Sequence, residues 1–197
     1  MKPYSTACDQ NREAILSIIQ PIFNTVKTVL EVGSGTGQHA IYFAEHMPHL
    51  IWQCSDRLRY HAGINSWLEE TTASNIRPPL TLDVAKEWPT LTTEAVFSAN
   101  TTHIMHHHEV KKFFAGVGRC LTPNGHFLLY GPFNYNRQYT SDSNQQFDHW
   151  LHNSDPHSAI RDFEELNQWA TQAGLCLQND YAMPANNRIL HWQKTPA

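Results

Sequence analysis

The stretch TVLEVGSGTGQHA, residues 28–40, constrains the fold more than any other part of the chain. Five strand-forming residues run into Gly33, Gly35 and Gly37, and a helix-forming run follows at once. Glycine is needed where a backbone turns sharply or must let a ligand approach closely. Strand, glycine loop and helix in that order form the opening unit of an α/β sheet, whose ligands bind beyond the C-terminal ends of the strands. The plainer alternative is a strand-to-helix turn that is merely rich in glycine.

The rest of the chain keeps the alternation. Ile15, Ile18 and Ile19 predict a helix over 9–20, with Asp9 as its cap. Helical spacing returns over 38–47, 60–70, 107–121 and 162–173, with Asp162 as the expected N-cap of the last. Strands are expected at 28–32, 50–56, 80–84, 95–100, 126–133, 176–183 and 188–194, and a polar loop before 162. Strands alternating with helices of about 10–15 residues predict a parallel sheet. The PANN turn at 184–187 is too short for a crossover helix, so the last two strands should pair antiparallel at one edge. The expected fold is α/β: a Rossmann-like, mostly parallel seven-stranded sheet with helices on both faces and an antiparallel hairpin at the C-terminal end. One domain spanning 1–197 accommodates it.

The glycine spacing selects among ligands. A dinucleotide fingerprint G-x-G-x-x-G starting at Gly33 requires glycine at 38, where this chain has Gln38; the third glycine comes one residue early, at Gly37. NAD places a pyrophosphate on the helix N-terminus. S-adenosylmethionine has no phosphate, and its ammonium wants a carboxylate. Glu31, two residues before Gly33, projects near the strand's C-terminal end. E-x-G-x-G-x-G resembles motif I of class I methyltransferases. Asp56 ends the second expected strand, where a carboxylate can accept both ribose hydroxyls. Asp83 followed by Val84 resembles the methyltransferase position at which an acid binds the adenine amino group and the next backbone reads the ring. Three acids at three successive strand ends, behind a glycine loop, form one constellation. A nicotinamide-dependent oxidoreductase is disfavoured by Gln38 and by the lack of a Tyr-x-x-x-Lys pair on a helix.

Composition narrows the partners. The formal net charge is −4, which gives no support to nucleic-acid or anionic-membrane binding. No apolar run approaches the ~20 residues that span a bilayer, and the N-terminus lacks the apolar core of a signal peptide. Cys8, Cys54, Cys120 and Cys176 lie far apart, which suits a reducing compartment, so a cytoplasmic protein is expected. The sequence does not fix the oligomeric state.

A closer likeness runs through QNREAIL (10–16), VLEVGSGTGQHAIYFA (29–44), WQCSD (52–56), VFSANTTHI (96–104), FAGVGRCLTPNG (114–125), LLYGPF (128–133), SNQQFDHWLHNSDPHSAIRDFEEL (143–166) and MPANN (183–187). In these segments the chain resembles the family called domain of unknown function 938, methyltransferase-like proteins that include methyltransferase-like protein 26. It departs at Asp9-Gln10-Asn11, where relatives have an acid, Arg and Asn, and at MHHH (105–108), where they carry tryptophan. The resemblance implies a class I methyltransferase fold and S-adenosylmethionine as cofactor, and leaves the acceptor open. The cofactor-binding set read in this way is Asn11, Glu31, Gly33, Ser34, Gly35, Gly37, Asp56, Arg57, Asp83, Val84 and Asn100.

Methyl transfer is an in-line displacement that depends chiefly on positioning, which can account for about 7–11 kcal/mol of barrier. The pocket should therefore form from 4–12, 100–106, 130–135 and 183–187. His103 and Tyr130 are the candidate catalytic residues, His103 as a general base. His103, His106, Tyr130 and Asn186 are the candidates to touch a small-molecule acceptor; Asn186 and Asn187 equally suit a hairpin turn. TTHIMHHHE (101–109) invites a metal reading, but adjacent histidines point in different directions and no H-x-x-x-H with an acid stands on a clear helix. No metal site is assigned, and His107 and His108 are expected to begin a helix and face solvent. A protein that keeps the cofactor site without turnover remains the alternative to a methyltransferase.

Overall fold

The computed structural model describes residues 2–196. The strands are β1 (Thr28–Val32), β2 (Ile51–Asp56), β3 (Ile76–Thr81), β4 (Thr93–Ala99), β5 (Leu121–Gly131), β6 (Phe133–Asn134), β7 (Arg161–Asp162), β8 (Leu175–Ala182) and β9 (Arg188–Lys194). The α-helices are α1 (Thr6–Phe23), α2 (Gln38–His46), α3 (His61–Leu68), α4 (His107–Cys120), α5 (Asp142–Ser154) and α6 (Phe163–Gln172). Seven strands form one sheet in the order β3-β2-β1-β4-β5-β9-β8, and β6 and β7 pair separately. The pairings from β3 through β5 are parallel, while β9 runs antiparallel to both β5 and β8. The chain builds outward from β1 to β3, then returns to lay β4 on the other side of β1, which creates a switch point between them.

Alternation along the strands gives the sheet two apolar faces. Leu30, Val96, Phe127, Leu129, Leu190 and Trp192 point to the side covered by α4 and α6, against Phe113, Phe114, Val117 and Leu166. Val29, Ala95, Phe97, Leu128 and Ile189 point to the other side, against Ile15, Ile19, Phe23 and Phe43. The α/β class, the mostly parallel sheet and the antiparallel C-terminal pair expected from the sequence are all present. No helix among the described residues is long and apolar enough to cross a membrane.

Five local expectations need correction. Helix α1 starts before Asp9: Ser5 is its N-cap, with Oγ accepting from the Cys8 amide at 3.4 Å. Strand β3 is not 80–84 but Ile76–Thr81, so Asp83 and Val84 lie past its end. It carries Pro78 and Pro79, which an edge strand tolerates because one side needs no amide donors. The stretch taken for a polar loop contains α5, capped by Ser141 Oγ accepting from the Asn144 amide at 3.1 Å. Asp162 stands at the N-cap of α6 without capping it, because its carboxylate accepts from the Arg137 amide at 2.7 Å instead. The hairpin turn takes positive φ at Ala185 and Asn186, 56° and 57°, rather than at Asn187.

The helices α4 and α6 meet at Gly118. A Cβ there would lie 2.4 Å from the Ala173 carbonyl oxygen. Lys194 Nζ donates to the carbonyls of both Gly118 and Ala173, at 2.9 and 3.0 Å, joining the two helices to β9. Burial also sets the charge of three imidazoles. His39, His103 and His191 are all buried, and loss of hydration pushes each down to about 4. The unfolded chain protonates these groups first, so their contribution to stability is lost as pH falls from about 6.5 toward 4. Glu31, pushed up to about 7 by burial, works in the opposite sense because the native state takes its proton first.

Two outcomes follow. Gly118→Ala should destabilise the fold by roughly 1–3 kcal/mol through overpacking, although alanine is intrinsically the better helix former. Urea unfolding should show a lower midpoint at unchanged slope, and a midpoint equal to or above wild type would contradict the packing described. Unfolding free energy should also decrease from pH 6.5 to 4.5, with net uptake of about two protons per chain at pH 5. Stability that is flat or rises on acidification would show that the three histidines are not buried as neutral rings.

Candidate active site

The glycine loop leaves β1 through left-handed backbone. Gly33 has φ 77°, and a Cβ on it would sit 2.6 Å from Thr101 Cγ2, so glycine is required by conformation and by proximity alike. Gly37, at φ 92°, opens α2 with only 3.3 Å between an added Cβ and the Ile64 backbone. The amides of Gly33 and Ser34 both donate to the Ser55 carbonyl at 3.0 Å, which fixes the loop to the end of β2. A Cβ on Gly35, by contrast, would meet nothing within 4 Å, and this residue faces an open cleft.

That cleft, about 440 Å³, lies at the switch point. Gly33 and Gly35 form its floor; Asp56 and Arg57 enter from β2, Leu82 and Val84 from beyond β3, and Asn100 and Thr101 from beyond β4. Asp56 Oδ2 accepts from the Gly35 amide at 2.8 Å and Oδ1 from the Arg57 amide at 2.7 Å. Burial raises its pKa, and those two amides act against the rise. Asp83 does not line the cleft. Its Oδ1 accepts from the Ala85 amide at 3.0 Å, and its Oδ2 stands 3.7 Å from Arg57 Nε. Arg57 in turn donates to Glu109 at 3.0 Å, so its guanidinium is held between two carboxylates.

Glu31 also lies behind the cleft wall. It is 2 % exposed, and one carboxylate oxygen accepts from Ser34 Oγ at 2.7 Å and Trp52 Nε1 at 3.2 Å. Those hydrogen bonds favour the carboxylate, but desolvation outweighs them and lifts its pKa to about 7. Ser34 and Gly37 likewise support the loop from behind rather than line the cleft.

A second chamber of about 550 Å³ shares Asn100 with the first. Asn100 has φ 57°, and its amide donates to the Tyr130 carbonyl at 2.9 Å, which ties the end of β4 to β5. All four segments expected to surround a pocket contribute to this chamber: Ser5 and Asn11, Asn100 and His103, Tyr130 and Pro132, Pro184 and Asn187. Helix α5 adds Asn144 and Phe147, unforeseen because that helix was read as loop. Asn11 Oδ1 lies 2.7 Å from His39 Nε2, within hydrogen-bonding distance, and the Asn11 side chain acts against the rise that burial gives the Tyr130 phenol. Tyr130 is raised above the ordinary tyrosine value by burial, so it is a neutral phenol.

The histidine run divides four ways. His103 is buried in the second chamber with its ring 5.2 Å from Phe147 and its Nδ1 without a partner. Burial and the Arg161 charge hold it neutral, at about 4. His106 reaches neither cavity: its amide donates to Glu109, and its Nε2 lies 3.4 Å from Asp155. His107 pairs with Glu165 at 2.7 Å and His108 faces solvent. Among the described residues no group of three or more His, Cys, Asp or Glu is placed to hold a metal ion. Asn186 donates to Ser143 Oγ at 3.2 Å and does not line the chamber, though its neighbours Ala185 and Asn187 do. Ile104 and Met105, within the expected segment 100–106, line the first cleft, and Tyr60 joins them with no sequence signal to mark it.

Solved structures share this architecture. The S-adenosylmethionine-dependent methyltransferase SibL aligns with a TM-score of 0.81 at 19% identity, over 95% of this chain and 55% of that one. An O-methyltransferase family protein from Burkholderia thailandensis aligns at 0.80 and 13% identity, over 94% and 59%. CalO1, a methyltransferase in calicheamicin biosynthesis solved with S-adenosylhomocysteine bound, aligns at 0.71 and 18%, over 87% and 49%. The chain thus spans about half to three-fifths of the length of these proteins, and at such identities the likeness is one of fold: this is the methyltransferase fold. The family described as Protein of unknown function (DUF938) matches residues 2–194, and the chain belongs to it.

Proposed function

We propose that the chain is an S-adenosylmethionine-dependent methyltransferase acting on a small-molecule acceptor. The observation that carries this reading is the pair of cavities meeting at Asn100, one built on the glycine loop and Asp56, the other on His103 and Tyr130. The residues fit the cofactor: Gly35 leaves open space over the loop, and Asp56 offers a carboxylate to a ribose at the strand end. When bound, the cofactor supplies a methyl group on a sulfonium, open to displacement by a nucleophile. Leu82 and Val84 give an apolar wall suited to adenine. Asp83 acts by fixing Arg57, and Glu31, from behind the loop, supplies the charge that an ammonium would draw out of a half-protonated carboxyl.

In the acceptor chamber the protein positions and excludes water. His103 is an uncharged ring at neutral pH, able to orient an acceptor by hydrogen bonding. As a base of pKa about 4 it takes a proton only from an acceptor made strongly acidic by the transfer. Asn11, held by His39, lines the chamber together with the Tyr130 phenol. Dinucleotide binding is disfavoured at α2. Gln38, which replaces the third glycine, accepts from the Ser5 amide at 2.6 Å and donates to the Ser5 carbonyl at 3.2 Å, so the start of α1 is fastened to the helix end that would meet a pyrophosphate. The YGPF and MPANN segments support placing the chain with the methyltransferase-like protein 26 type, and four free cysteines support a reducing, cytoplasmic setting.

Isothermal titration should show S-adenosylmethionine binding and no measurable NAD binding; tight NAD binding without the sulfonium ligand would refute the reading. Asp56→Ala should weaken S-adenosylmethionine about tenfold or more, roughly 1.4 kcal/mol, as expected for loss of a charged hydrogen bond. Unchanged affinity in a folded variant would remove Asp56 from the site.

A further inference from the structure

Among the described residues, the second chamber is lined without a single Asp, Glu, Lys or Arg. Its polar lining consists of the side-chain amides of Gln10, Asn11, Asn100, Asn144 and Asn187 together with His103, Tyr130 and two serines. Phe147, Pro132 and Pro184 add flat apolar surface. The charges nearest the wall are engaged elsewhere. Arg161, beside His103, gives its guanidinium to the backbone carbonyls of Thr102, Met105 and His157. Asp148 accepts from the Ile160 amide at 2.6 Å and from Tyr139 at 2.7 Å. Asp9 is paired with Arg12 at 3.0 Å and accepts from Tyr4.

An ion entering such a chamber would give up hydration and meet no countercharge, whereas a neutral polar molecule exchanges water for amide hydrogen bonds. Asn144 and Asn187 give their amide hydrogens to Thr140 and Asn186 and to Pro184 and Ala185, leaving carbonyl oxygens as acceptors. Gln10 and Asn100 add amides that carry both a donor and an acceptor, so the wall can match hydroxyls and carbonyls. Phe147 and the two prolines suit the face of a ring. We propose that this chamber takes an uncharged, ring-bearing acceptor with hydrogen-bonding substituents, and rejects the anionic and cationic counterparts of the same ring. The inference rests on the methyl-transfer reading above and narrows its acceptor class, adding charge neutrality as the selection rule.

The test uses three probes of similar size at pH 7: 4-ethylphenol, which is neutral, 4-hydroxyphenylacetate, an anion, and tyramine, a cation. Each is titrated by ligand-observed NMR into the chain, alone and after saturation with S-adenosylhomocysteine. The neutral probe should bind about tenfold or more tightly than either ion. Gln10 lies exposed on α1 at the chamber's edge, so Gln10→Lys introduces a cation without disturbing the core. That variant should strengthen 4-hydroxyphenylacetate by about fivefold and weaken tyramine, each relative to 4-ethylphenol. Equal or tighter binding of an ion by the unsubstituted chain, no binding of the neutral probe, or ion affinities unmoved relative to 4-ethylphenol in Gln10→Lys would each overturn the proposal. Failure of S-adenosylhomocysteine alone to bind would strike the methyl-donor reading instead, because probe selectivity is also read on the unloaded chain.

Discussion

The architecture turns on the contact between Gly33 and Thr101. The chain leaves β1 and β4 side by side at the switch point, and the two departing loops pack so closely that a methyl group on residue 33 would overlap the Thr101 methyl at 2.6 Å. This close approach puts the glycine loop on one side of Asn100 and the His103 loop on the other. Ser98 Oγ secures it from beneath, bonded to the Val32 carbonyl and to Thr101 Oγ1, each at 2.7 Å. Both cavities exist because two strand ends are held this near each other while their chains diverge.

Desolvation is the dominant electrostatic effect around those cavities. Glu31 is raised despite two hydrogen bonds that favour its charged form, and Asp56 is raised despite two backbone amides. His103 and His39 are lowered far enough to be neutral rings at physiological pH. The glycine-loop cleft thus keeps carboxylates: Asp56, raised by burial, and Asp155, lowered by the His157 amide, line it, and Glu31 stands behind it. The acceptor chamber keeps none. The contrast between the two sides of Asn100 is what a transfer from a cationic donor to a neutral molecule would call for.

Much of this was legible because it rests on periodicity and on glycine. The strand, glycine loop and helix of 28–46 were read directly, since the sheet needs β-branched residues there and the turn needs positive φ. The short turn before β9 correctly implied an antiparallel hairpin. What escaped did so for physical reasons. Helix α5 buries Asn144 and Asp148 along with Leu151, so its inward face reads as polar, and only the fold supplies the partners that make those residues buriable. Strand β3 escaped because two prolines broke its pattern, and the alternation of 80–84 drew the reading past its true end. The loop carrying the histidines was expected to face the cleft, and Ile104 and Met105 do line it, but the fates of the histidines themselves depend on Phe147, Asp155 and Glu165, all distant in sequence.

The central claim is that donor and acceptor occupy adjoining cavities with Asn100 between them. A crystal structure with S-adenosylhomocysteine bound tests it most directly. The ribose should lie against Asp56, the adenine beside Leu82 and Val84, and the sulfur should turn past Asn100 toward the chamber of His103 and Tyr130. Ligand density outside the glycine-loop cleft, or a sulfur facing away from that chamber, would contradict it.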